Sequence, residues 1–132
     1  MGFRRPAAIM AIAATLVLGT AVAAFADTST GQGLAISGNN CAGSVIVQPQ
    51  QYAEESGNAT QHGTENPASV KWSIWTNTTD NLNTATRAIV YQGSTLFLQA
   101  VLNDGSAPAY YWGCLFNNSS TKVDYTVTIN AT

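Results

Sequence analysis

From Ser69 to Trp75 the chain alternates strictly, with Val70, Trp72 and Ile74 falling on one face and Lys71, Ser73 and Trp75 on the other. The same period of two returns from Thr121 to Asn130, where Val123, Tyr125, Val127 and Ile129 form an inward set and Asp124, Thr126, Thr128 and Asn130 an outward one. That period specifies half-buried strands. No segment after residue 26 keeps a helical period over several turns, so the two apolar faces must be hidden by other strands. Arg87 to Tyr91, Thr95 to Leu102 and Ala109 to Phe116 are further apolar or alternating runs. They are separated by Gln92-Gly93, Asn103-Asp104-Gly105-Ser106 and Asn117-Asn118-Ser119-Ser120, residues that tolerate positive φ or bond their own backbone. The expectation is an antiparallel meander from Arg87 to Asn130 whose terminal strand, Thr121 to Asn130, lies at an open sheet edge. Upstream, Gly43 to Val47 reads as a strand closed by Pro49, and Gln50 to Glu55 as one helical turn opened by that proline. Ser56 to Ala68 reads as a long polar loop.

About six or seven short strands in this length predict an all-β fold, a small antiparallel β-sandwich, with a small β-barrel as the alternative. Cys41 and Cys114 are the only cysteines. An even pair in an exported chain is expected as one intrachain disulfide, and closing a loop of this length would stabilise the fold by about 4 kcal/mol. The order Cys41, Trp72, Cys114, with the aromatic Trp112 two residues before the second cysteine, resembles immunoglobulin domains in general architecture. It departs from them in having Trp112 where a tyrosine stands, and in the longer stretch between Cys41 and Trp72.

Residues 1–26 read as a cleaved signal peptide. Arg4 and Arg5 precede an apolar run from Ala7 to Ala23, and the small residues Ala24 and Ala26 flank Phe25 before the expected cut. The run lacks a basic stop-transfer cluster, so membrane anchoring is the weaker alternative. Its alanine content suits a bacterial source, in which the Asn-x-Ser/Thr triplets at Asn58, Asn77, Asn117, Asn118 and Asn130 are compositional. Residues 27–40 are expected to be a flexible leader, the other reading being a short edge strand at Leu34 to Ile36. Residues 41–132 form the single domain. Beyond residue 26 the bases are Lys71, Arg87 and Lys122 against seven acids, a net charge of −4. That balance repels phosphate backbones, so nucleic acid is not an expected partner.

No catalytic set converges in the sequence. His62 is the only histidine, Glu54 and Glu55 are adjacent and point apart, and Asp104 is explained by a hairpin turn. No metal or cofactor is expected and the protein is not expected to be an enzyme. Function is therefore sought in binding: a secreted interaction module for a secreted or cell-surface protein, with no membrane association after signal cleavage. The alternatives are a carbohydrate-binding domain that stacks sugars on exposed aromatics, or an inhibitor presenting the Ser56 to Ala68 loop. The candidate contact residues are Leu34 and Ile36 in the leader, Trp75, Tyr91 and Tyr111 as exposed aromatics, and Thr128 on the terminal edge.

Overall fold

The computed structural model describes residues 27–132, and the signal-peptide reading of 1–26 lies outside them. Nine strands follow one another: β1 (Thr28–Ala35), β2 (Gly38–Cys41), β3 (Val45–Val47), β4 (Tyr52–Gln61), β5 (Val70–Asn77), β6 (Thr86–Gly93), β7 (Thr95–Leu102), β8 (Ala109–Asn117) and β9 (Val123–Ala131). A 3-10 turn at Leu82–Thr84 interrupts the β5–β6 connection. The strands form two antiparallel sheets packed face to face, ordered β1-β9-β4-β7 and β2-β8-β5-β6, with β3 also on β8 beyond the end of β2. This is the expected all-β sandwich.

The alternating strands behave as their pattern requires. Val70, Trp72 and Ile74 of β5 are fully buried, as are Val123, Val127 and Ile129 of β9, with Leu115, Val45 and Val47 between them. The meander does not form. No two consecutive strands from β6 to β9 pair with one another; at each step the chain crosses to the opposite sheet. Turn residues specify that the chain reverses, but a few residues span the ~10 Å between packed sheets as readily as the ~4.8 Å between paired strands. The β6–β7 corner is held from both sheets, because Trp72 Nε1 donates to the Gly93 carbonyl at 2.9 Å and the Ala59 N–H to the Ser94 carbonyl at 2.8 Å. The terminal strand is correspondingly not an edge: β9 is bonded to β1 on one side and β4 on the other.

Two further segments depart from the expectation for one reason. The expected leader pairs along β9 for eight residues as β1, and the ten-residue strand β4 takes up the expected helical turn from Tyr52 onward and the expected polar loop as far as Gln61. Their inward positions are Ser29, Gly31, Gly33 and Ala35 in β1, and Ala53, Glu55, Gly57 and Ala59 in β4. Small residues there let the sheets approach closely and leave no hydrophobic period to read. A side chain at Gly57 would meet the Trp72 ring and lie 2.6 Å from the Thr126 carbonyl. After Pro49 the chain turns through Gln50 at φ 67°, not into a helix.

Cys41 and Cys114 are joined. They are directly opposed residues of β2 and β8, so the bridge lies within one sheet. It is not the inter-sheet bridge of immunoglobulin domains. Cys114 shares a face with Ser73, its partner in register on β5, while Trp72 points to the other face into the core. The buried amides of Asn103 and Asn117 build the turns that follow β7 and β8. Asn103 donates to the Val47 and Ala107 carbonyls, and Asn117 to those of Ala35 and Thr121.

Gly57→Ala should cost about 1–3 kcal/mol in denaturant unfolding, because the added methyl overpacks the Trp72 contact. Trp72→Phe in the same chain should recover part of that loss, whereas strictly additive costs would show that the two residues do not oppose one another.

Candidate binding faces

Alternation along β5, β6 and β8 places a second set of side chains on the outside of the five-stranded sheet. Register opposes Lys71 to Phe116, Ser73 to Cys114 and Trp75 to Trp112 across β5 and β8, and Trp75 to Arg87 and Ser73 to Val90 across β5 and β6. Tyr111 was expected as an exposed aromatic, and the structure buries it; Trp112 beside it is buried as well, 5% exposed, but on the other side of the sheet. Tyr111 is 4% exposed and packs between the sheets, while Trp112 lies on the outer face, where Tyr110 stacks on it at 6.4 Å. The run Ala109 to Phe116 is apolar on both faces, so its parity cannot be read from hydrophobicity. Trp75 is half-buried; its indole N–H donates to Ser73 Oγ at 2.9 Å and the Arg87 guanidinium lies 6.0 Å from the ring centre. A cleft of about 250 Å³ opens here, lined by Asn39, Lys71, Ser73, Trp75, Arg87, Val90 and Phe116.

The flank of the sandwich formed by β6 and β7 is different. Each is the last strand of its sheet, so each leaves one row of backbone groups unpaired. Tyr91 and Phe97 stand three residues before and after Ser94, one on each edge. In β7 two residues are accommodated opposite one: the pairing passes from Gln99–Glu55 to Leu96–Gly57. This bulge turns Phe97 and Leu98 both to solvent, 89% and 59% exposed, while Leu96 and Gln99 point inward. Tyr91 and Val90 on β6 are each 46% exposed. The consecutive Leu96-Phe97-Leu98 was the available sequence signal, since three large apolar residues in a row cannot all face one core.

The remaining candidate residues are dispersed. Leu34 and Ile36 are exposed at the end of β1 and the link to β2, on the flank opposite β6 and β7. Thr128 belongs to an interior strand and its hydroxyl is bonded to that of Thr30 at 3.1 Å. The structure thus leaves Tyr91 on the β6–β7 flank and Trp75 half-buried on the outer face of β5, buries Tyr111, and places Thr128 on an interior strand instead of an open edge.

Two titratable groups have shifted acidities. Asp124 accepts from the Gly63 N–H at 3.0 Å and is paired with His62 Nδ1 at 2.8 Å; the Gly63 bond first, then His62, holds its carboxyl below the usual carboxylate range. The exposed pair clamps the turn after β4. No nucleophile is bonded to His62 among the described residues. Glu55 is fully buried between the sheets, and Gln99 Nε2 donates to its Oε1 at 2.6 Å while Oε2 has no partner. Burial pushes its carboxyl up to about 8, against the lowering pull of Gln99 and the nearby Cys114 N–H. With no access to solvent it cannot reach a substrate. No group of three or more His, Cys, Asp or Glu residues that could hold a metal occurs among the described residues.

No protein-family model matches this chain, and neither a curated protein nor a solved structure matches it significantly. The functional reading therefore rests on geometry.

Because the folded-state acidity of Glu55 lies above its ordinary value of 4.5, the native state holds a proton that the unfolded chain releases first. Its neutral form costs the fold nothing below about pH 4.5, and stability then falls as pH rises toward about 8, at a slope on the order of 1 kcal/mol per pH unit. Glu55→Gln should flatten that fall in chemical denaturation between pH 5 and 8. An unchanged slope would place the titrating group elsewhere.

Proposed function

We propose that the protein is a secreted, non-enzymatic interaction module that joins a protein partner along its open β6–β7 flank. The observation that carries this reading is the Phe97–Leu98 bulge. Two large apolar side chains stand in solvent on an edge strand, β7, that contains no charged residue from Thr95 to Leu102. Edge strands of monomeric proteins are ordinarily blunted by charge, proline, a bulge or a covering element. β6 carries Arg87, but β7 has only its bulge. An added strand would satisfy the backbone groups of β7, and apolar side chains of the partner would cover Phe97 and Leu98.

Export fits the same picture. The signal-like N-terminus is followed by a chain whose only cysteines are bridged, and no helix among the described residues is long and apolar enough to cross a membrane. Sugar stacking on Trp75 draws less support, because Arg87 already lies over that ring and the indole N–H is already bonded to Ser73. Display of an inhibitory loop between Ser56 and Ala68 is also weakened, since β4 occupies that segment as far as Gln61.

Replacing Phe97 by Asp and Leu98 by Lys should leave the melting temperature within a few degrees, both side chains being exposed. It should weaken retention of a partner from the producing culture's fluid by about tenfold or more, the range of a lost apolar anchor. Retention at wild-type levels by the double variant would overturn the assignment of this flank.

A further inference from the structure

The cleft on the outer face of the five-stranded sheet has a charge that the rest of the surface does not share. Residues 27–132 contain three bases, and two of them, Lys71 and Arg87, line this one cleft; no carboxylate does. Neither forms an ion pair among the described residues, where His62–Asp124 is the single pair. Both project from the same face as Ser73, Lys71 two residues before it on β5 and Arg87 from β6 opposite Trp75, so the cations flank that serine on either side. The Cα atoms of Lys71 and Trp75 lie about 13 Å apart along the strand, a span that long flexible side chains can close from both ends.

The floor and walls complete the chemistry. Ser73 is 4% exposed and its oxygen accepts the Trp75 indole N–H, which leaves the hydroxyl proton to donate. Phe116 and Val90 supply apolar walls, and Asn39 a polar rim. In a domain carrying −4 overall, a concave site with two cations and no acid attracts anions against the general field.

We propose that this cleft binds a small aromatic carboxylate, its charged end between Lys71 and Arg87 with Ser73 donating, and its ring against Phe116 and Val90. The volume of about 250 Å³ suits one ring with a short acidic arm. The site is separate from the Phe97–Leu98 bulge on the edge of the other sheet, and it stands whether or not that edge engages a partner.

Phenylacetate is the probe, followed by NMR through the indole N–H signal of Trp75 in the intact exported protein. Saturable movement of that signal is expected. Lys71→Gln and Arg87→Gln should each weaken binding about tenfold or more, as loss of one charge-assisted bond predicts, while Lys122→Gln leaves it unchanged. Val90→Glu, which adds a carboxylate to the wall and leaves both cations in place, should abolish binding. Acetate, which lacks the ring, and phenylacetamide, which lacks the charge, should both fail to saturate. The proposal is overturned if phenylacetate produces no saturable shift, if phenylacetamide titrates like the acid, or if the Lys71 and Arg87 variants bind as the wild type does.

Discussion

The indole of Trp72 spans the gap between the two sheets, and much of the molecule is arranged around that contact. Its ring meets β4 where Gly57 offers no side chain, and its N–H holds the carbonyl of Gly93 at the β6–β7 corner. One side chain therefore sets the spacing of the layers and fixes the point where the chain leaves one sheet for the other. Burial of an aromatic this large stabilises by several kcal/mol, and its single polar atom is satisfied without water. Once the corner is fixed, β6 and β7 emerge from it as the last strands of their sheets. The open flank is thus a consequence of how the core is tied.

The small inward residues of β1 and β4 follow from the same close packing. Gly31 brings β1 against the backbone of Cys41 and Ala42, and Gly113 leaves room for the carboxyl of Glu55. A buried acid within so tight a layer is tolerated because Gln99 binds one oxygen and because the group is held neutral. The disulfide sits outside this layer, stapling β2 to β8 on the sheet's other face. It constrains the unfolded chain, while the inter-sheet core is held by hydrophobic packing and by the buried amides of Asn103 and Asn117.

Strand identity was legible wherever one face is apolar and the other polar, as in β5 and β9, and the bridge was legible from cysteine count. Strands β1 and β4 were not, because their buried faces are glycine, alanine, serine and one glutamate, which read as loop. Pairing was not legible either. The separators at Gln92-Gly93, Asn103 to Ser106 and Asn117 to Ser120 announce reversals without saying which sheet receives the next strand. Of the candidate contact residues, Trp75 and Tyr91 lie at accessible surfaces, whereas the doubly apolar run of β8 hid the inward turn of Tyr111. The cleft was invisible for a related reason: Lys71, Arg87 and Phe116 come from three strands, and only the cross-sheet order brings them together.

Amide hydrogen exchange resolved by residue tests the central claim, that β9 is an interior strand and β7 an open edge. Protected amides are expected throughout Val123–Ala131, since β1 and β4 both accept from them. Along Thr95–Leu102, amides directed toward β4 should be protected and those directed away should exchange rapidly. Uniform slow exchange along β7 in the isolated protein, with rapid exchange on one side of β9, would contradict the topology and the functional flank built on it.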